Sequence, residues 1–446
     1  MASAAEQMAS NISWSTFGKA KDLHSRLLYA LGLLIIYRVG TYIPMPGIDP
    51  VQLARFMDQT SSGILGMFNM FAGGAVGRMA IFALGIMPYI SAAIIMQLMT
   101  AMVPELEKLK KEGEAGRRKI NQYTRYGTVL LATAQAYGIA IGLEGQGLAV
   151  DPGWFFRATA VITLVGGTMF LMWLGEQITA RGIGNGISLI IYVGIIAELP
   201  SALAQFFELG RTGQLAAFVI IAILIGAIAV IGAVVFIERA QRRILVQYPK
   251  RQVGQRIYGG ESSFLPLKVN TAGVIPPIFA SSLLLLPATV AGFSVDGGSS
   301  GVMGLIGAYL GRGQPLYLLT FVSMIVFFAF FYTSVVFNPD DVADNLKKNG
   351  GYVPGIRPGA KTSEYLDYVL TRLTTVGALY LAVICVLPEI LISELAVPFY
   401  FGGTSLLIVV SVTMDTVTQV QSHLLAHQYE GLIEKSRLGR RGRKKR

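Results

Sequence analysis

Ten stretches of mostly apolar residues, separated by polar loops, constrain this chain more than any other feature. They lie at about 26–44, 79–102, 124–143, 154–175, 187–207, 215–237, 270–293, 315–337, 373–393 and 398–420. About 20 such residues in a helix span the hydrocarbon core of a bilayer. In lipid the backbone must satisfy its own hydrogen bonds, so runs of this length read as helices. Composition agrees, because only 14% of the 446 residues are charged, against about 25% in a soluble domain. A water-soluble protein built this way would lack the polar residues to cover its core. The expected fold class is an all-α integral membrane protein of ten transmembrane helices.

Charge orients the spans. With the N-terminus in the cytoplasm, thirty-one of the 37 Lys and Arg residues fall on the inner side, and only Arg38, Arg55, Arg78, Arg157, Arg211 and Arg312 on the outer side. That asymmetry is the positive-inside pattern, and it puts both termini in the cytoplasm. The net charge of +11 is therefore read as membrane orientation and acidic partners rather than as a nucleic-acid-binding domain. The first twenty residues are polar, and no small-residue cleavage site follows the first apolar run. That run is expected to stay as a helix.

Several chemistries are excluded. The single cysteine, Cys385, lies inside an apolar run, which leaves no disulfide framework. His423 and His427 are spaced i,i+4 but have no third ligand in sight, so no metal is expected. The run from Gly355 to Lys361-Thr362 lacks a glycine directly before the lysine, and no strand precedes it, so it is not a P-loop. Gly182, Gly184 and Gly186 form a glycine turn between two spans. No nucleophile, base and orienting group stand together. The chain is expected to be no enzyme and to carry no cofactor, with any energy input coming from an outside motor.

Three further features carry information. The stretch from Gly63 to Arg78 is apolar, short and broken by glycines. It reads either as a re-entrant segment or as an interfacial loop. The loops at 238–268 and 338–372 mix basic and aromatic residues, and they read either as docking surfaces or as charge that only sets topology. Spans 2, 3 and 7 are poor lipid helices, with Pro88, Ser91 and Gln97, then Thr128, Thr133 and Gln135, then Asn270, Thr271, Pro276, Pro277 and Pro287. Polar groups at depth face a bundle interior or a water-filled cavity. Ten spans also divide as five plus five, which would invert one half relative to the other. A secondary transporter for a small solute and an insertase without a through-pore are the competing readings. Asp415 and Glu389 lie toward span ends, which speaks against an ion-coupled transporter.

Long strings in the chain resemble the SecY family of protein-translocation channels. They include IPMPGID at 43–49, MFNMFAGGA at 67–75, FALGIMPYIS at 82–91 and KKEGEAGRRKINQYTRYGT at 110–128. They continue with GTMFLMWLGEQIT at 167–179, RGIGNGIS at 181–188, PLKVNTAGVIP at 266–276, FNPDDVADNLKKNGGYVPGIRPG at 337–359 and VPFYFGGTSLLIVV at 397–410. The likeness runs from about Arg26 to Tyr429. It leaves the basic end, 439–446, as a solvated or lipid-attracted tail.

The resemblance implies two pseudo-symmetric, inverted five-helix halves around a central pore, 26–208 and 209–420. A cytoplasmic segment (1–25) precedes them and a basic tail (421–446) follows. It implies a plug at about 63–77, carried by Gly63, Met67, Phe68, Asn69, Met70, Phe71, Gly73 and Gly74. The pore ring falls on Ile86, Ile90, Ile187, Ile191, Ile278 and Ile408, and the lateral gate on Ser91, Gln135 and Asn270. Docking of the SecA motor or of the ribosome, with its RNA, falls on Arg242, Arg243, Arg251, Arg256 and Arg357. The implied function is passage of secretory polypeptides across the bacterial inner membrane. Signal sequences and transmembrane segments would leave sideways into membrane lipid. The implied partners are SecE and SecG.

The topology has a direct test. A cysteine at Ser262 is expected to react with an impermeant thiol reagent only from the cytoplasmic face, and one at Ser299 only from outside. Labelling of position 299 from the inside would overturn the ten-span arrangement.

Overall fold

The computed structural model describes residues 21–60, 69, 72–213, 216–249, 251–253, 256–258, 262–292, 314–395 and 403–443. Its helices are α1 (Lys21–Gly40), α2 (Pro50–Thr60), α3 (Met87–Met102), α4 (Pro104–Lys111), α5 (Glu114–Gly145), α6 (Trp154–Arg181), α7 (Gly186–Arg211) and α8 (Ala217–Arg239). After them come α9 (Ile275–Gly292), α10 (Pro315–Val336), α11 (Pro339–Lys348), α12 (Ala360–Leu395) and α13 (Gly403–Arg443). A helix thus occupies each of the ten apolar intervals. Among the described residues α5, α6, α7, α8, α10 and α12 are by themselves long and apolar enough to cross a membrane. The pair α3 and α4, bent by 99°, makes a seventh if it is one span. α1, which carries Lys21, Asp22, Arg26 and Arg38, and α13, whose apolar start is interrupted by Asp415, Gln419 and Gln421, are not apolar enough by that measure.

Lipid exposure varies among the helices. α8 is the most apolar span, with a mean hydropathy of 3.2, and Phe218, Ile225 and Ile228 on it are exposed. An apolar helix that buries so little of itself has hydrocarbon as its solvent. By contrast, α6 packs on α5, α7 and α1 and buries Leu164, Leu171, Leu174 and Ile178 completely or nearly so. Close approach at the α6–α7 turn depends on glycine. A Cβ at Gly186 would strike the carbonyl of Gly175 on α6. Asn185 caps α7 by accepting from the backbone N–H groups of Ile187 (3.1 Å) and Ser188 (3.4 Å), satisfying two of its free donors.

Two expected boundaries are corrected. Span 2 does not begin at 79, because helix starts only at Met87 and residues 72–86 form tight turns. Gly73, Gly74 and Gly85 there have φ of 64°, 80° and 58°, left-handed values that glycine tolerates and that interrupt a helix. Pro88 then sits in the first turn of α3, where its missing N–H costs nothing. Span 7 likewise begins at Ile275 rather than 270, with Pro276 and Pro277 in its first turn.

The fold is mostly helical, as expected, but one loop carries strands. The loop at 238–268 folds into strands β1 (Gln241–Gln247), β2 (Arg251–Val253), β3 (Arg256–Tyr258) and β4 (Ser262–Lys268). β1 pairs antiparallel with β4, with Ile244 opposite Leu265, and β2 pairs with β3. The loop at 338–372 supplies α11 and the first turns of α12. The two loops form one body. Gln247 and Tyr352 exchange backbone hydrogen bonds at 2.9 and 3.0 Å. Ile244, Leu267, Val353, Leu366, Val369 and Leu370 share a buried apolar cluster.

Because Gly186 sits against a carbonyl that has no room to recoil, Gly186→Leu is expected to destabilise the protein by about 1–3 kcal/mol or more through overpacking. Thermal unfolding of the purified protein in detergent measures it, and an unchanged midpoint would contradict this packing.

Candidate functional site

The six ring isoleucines come from four separate parts of the chain. Ile86 directly precedes α3 and Ile90 lies in its first turn. Ile187 and Ile191 open α7, Ile278 opens α9, and Ile408 lies early in α13. The i,i+4 spacing of two pairs puts each on one helix face. All six belong to a single apolar cluster. Ile86, Ile90, Ile191 and Ile408 are buried in it, and Ile187 and Ile278 are half-buried against it. That large cluster draws on helices from both halves of the chain, and α3 packs on α9 and α7 on α13.

The segment before α3 joins that cluster. Ala72, Ala75 and Val76 are buried in it together with Met79, Ala80, Ala83 and Leu84. Of the expected plug residues, Gly63, Met67, Phe68, Met70 and Phe71 lie outside the described residues. Asn69 accepts a 2.6 Å hydrogen bond from the N–H of Gly77, and its carbonyl accepts one from Gly74 at 2.8 Å. Gly73 is packed so tightly that a Cβ there would lie 3.0 Å from the Cα of Gly194 on α7.

The expected gate residues have separate environments. Ser91 is buried on α3. Gln135 on α5 has a buried Oε1 with no hydrogen-bond donor among the described residues, a cost of about 1–3 kcal/mol for such an orphan. Asn270, in the turn before α9, donates to the Glu238 carboxylate at 2.7 Å and to the carbonyl of Gly273 at 3.1 Å. Among the described residues no hydrogen bond joins the three to one another. Between α3 and α9 the Ser282 hydroxyl, which donates to the Ile278 carbonyl at 2.7 Å, lies 3.5 Å from the Met87 sulfur. Residue type alone did not single out this pair, because an isolated serine and methionine carry no signal.

The basic docking residues sit on the body made by the two loops. Arg242 and Arg243 are exposed on β1. Arg251 and Arg256 lie on β2 and β3, and their side chains fall outside the described residues. Arg357 is exposed in a turn that Val353 and Ile356 root in the apolar cluster, and its carbonyl accepts from the Thr362 hydroxyl at 2.9 Å. Among the described residues no group of three metal-ligating side chains occurs.

Fold and site together define a polytopic helical membrane protein whose two sets of helices are closed against each other by apolar side chains. The SecY family model matches residues 80–417, and the chain belongs to the SecY family. It is 57% identical to the protein translocase subunit SecY of Rickettsia conorii, over 94% of this chain and 97% of that protein. It also shares its fold with a solved SecY structure whose plug domain stabilises the closed state of the translocation channel and maintains a membrane seal. That match has a TM-score of 0.61 and 19% identity, over 90% of this chain and 92% of the other. Sec61 in the canine ribosome–channel complex matches with a TM-score of 0.57 and 18% identity, again over 90% and 92%.

The Asn270–Glu238 contact has a measurable consequence. Asn270→Leu leaves the half-buried Glu238 carboxylate without its donor and is expected to cost about 1–2 kcal/mol. In a double-mutant cycle Glu238→Leu is expected to recover part of that loss, since neighbours in one network couple. Purely additive melting shifts would show that the two side chains do not interact.

Proposed function

We propose that this chain is the channel subunit of a protein-conducting translocon. Unfolded secretory polypeptides pass between its two halves, 26–208 and 209–420. Transmembrane segments leave sideways where α3 and α5 face α9. The observation that carries this reading is the single apolar cluster to which Ile86, Ile90, Ile187, Ile191, Ile278 and Ile408 all belong, in a chain of the SecY family. A narrow apolar constriction holds back ions because no group in it replaces an ion's hydration shell. Isoleucine is bulky, stiff at χ1 and without polar atoms. Around a translocating chain the same side chains form a compliant gasket that binds no particular sequence. The plug, at about 63–77, completes the seal in the idle state.

All ten helical segments cross the bacterial inner membrane in this reading, with both termini in the cytoplasm. The body made by 238–268 and 338–372 then faces the cytoplasm. Its arginines, Arg242, Arg243, Arg251, Arg256 and Arg357, would dock SecA or the ribosome, whose RNA is polyanionic. The canine neighbour, seen in a ribosome–channel complex, supports the second partner. Ser91, Gln135 and Asn270 would tune the gate, and SecE and SecG would complete the assembly. ATP hydrolysis belongs to the motor.

The decisive experiment is reconstitution of the purified complex in planar bilayers and vesicles. Changing Ile86, Ile191, Ile278 and Ile408 together to Ser is expected to produce an ion leak without substrate. The leak should grow when residues 63–74 are also deleted, while export of a secretory protein persists. A combined variant as silent as the wild type would remove the ring assignment. A wild-type complex that moves a small solute but no polypeptide would overturn the channel reading.

A further inference from the structure

Six arginines break the positive-inside pattern, and in a membrane protein each such exception calls for a local reason. Arg157 pairs with Glu144 at 2.6 Å and Arg211 with Glu208 at 2.6 Å, close contacts at the ends of α5–α6 and α7. Arg38 and Arg78 do something different, because they converge on the segment that leads out of the plug. Arg38, in the last turn of α1, donates to the carbonyl of Gly73 at 2.7 Å and to the Tyr42 hydroxyl at 2.9 Å. Arg78 lies with its guanidinium carbon 4.1 Å from the centre of the Tyr42 ring and donates to the carbonyl of Thr41 at 3.4 Å. Its remaining partner is Glu198 on α7, at 3.8 Å. The Ser201 hydroxyl beside it donates to the Glu198 backbone carbonyl at 2.8 Å.

The surroundings leave little slack. Gly74, at φ +80°, adopts a backbone conformation that strains other residues, and a Cβ there would meet the ends of the Glu198 and Arg78 side chains. Met79, the next residue after Arg78, has φ +41°, the only positive φ outside glycine among the described residues. Such a conformation costs about 1–2 kcal/mol and persists only where neighbours hold it. Its carbonyl accepts from Met45 N–H at 2.8 Å, and Ala80 bridges to Pro44.

The two arginine contacts differ in kind. The Arg38–Gly73 bond is short and charge-assisted, to a carbonyl whose residue is buried, so it is the lasting tether. The Arg78–Glu198 pair is longer and partly open to water, with side-chain exposures of 37% and 24%, so it can separate and re-form. We propose that Arg38, Arg78 and Glu198 anchor residues 72–78, the root of the plug, to α1 and α7. In this anchor the Arg78–Glu198 pair is a releasable catch that sets how long the idle channel stays shut. Glu198 is a positioning residue, acting on the plug through Arg78 and Gly74. The inference rests on the channel reading above.

The test uses the purified complex in planar bilayers without substrate. Glu198→Gln is expected to raise the fraction of time spent open about fivefold, the loss of one partly exposed ion pair. Arg78→Gln, which removes the other partner, gives the same readout should the first variant be recovered poorly. A catch made by charge is also weakened by salt. The wild-type open fraction should therefore rise from about 0.05 M to about 1 M KCl, and that of Glu198→Gln should stay flat. A Glu198→Gln channel as silent as the wild type would overturn the catch, and so would an equal salt response in both. A parallel export assay separates the two claims. Failure of the wild-type complex to pass a secretory protein strikes the channel reading, whereas normal export with unchanged gating strikes the catch alone.

Discussion

Inside hydrocarbon no water is available to a free N–H or C=O, and each unsatisfied group costs several kcal/mol. Helices answer that constraint for most of this chain. The irregular segments are the informative part, because they survive at depth only when protein surrounds them. Residues 72–76, 79–80 and 82–86, which lead into α3, are buried, as is Asn270 in the turn that leads into α9. Their backbone groups are bonded to one another, to Met45, to Ile43 and to the Arg38 guanidinium. Buried non-helical backbone leads into α3 and α9, and three of the six isoleucines expected in the ring, Ile86, Ile90 and Ile278, lie at or beside those two helix starts. In this fold the place that lipid would punish most is the place from which moving parts can be made.

The second constraint is that a seal must hold without being permanent. Apolar packing is non-directional and tolerates rearrangement, which suits the isoleucine cluster. Polar contacts around it are of several kinds. The Ser282 hydroxyl on α9 lies 3.5 Å from the Met87 sulfur on α3, and the Gly184 N–H before α7 donates to Gln419 Oε1 on α13 at 2.9 Å, so both contacts join the two sets of helices. Asn270 to Glu238 and Arg38 to Gly73 each hold a segment to a neighbouring helix within one set.

On the other side of the bundle, two loops far apart in the chain act as one rigid platform. The exchange between Gln247 and Tyr352 and the shared apolar cluster fix the Arg357 turn relative to the β1–β4 hairpin. Preorganisation of this kind lowers the entropy cost for whatever docks on such a surface.

Much of this was legible in residue order. The apolar runs announced a helix in every interval where one is found, since helix length and bilayer thickness are locked together. The family strings led to six isoleucines as the expected ring, and these lie in or against one large apolar cluster together with many other residues. What sequence could not reveal was pairing. Asn270 read as a gate residue, yet its hydrogen bond goes to Glu238, 32 positions away. Span 2 read as helical from 79, yet glycines at positive φ delay the helix to Met87, because an apolar run reports solvent preference and not backbone conformation. Arg38, Arg78 and Glu198 carried no common signal along the chain. Hydropathy and charge balance are sums over neighbours in sequence and determine what lies in lipid and which way it faces. Contacts between residues 35 to more than 100 positions apart depend on how helices dock, and only the tertiary structure decides them.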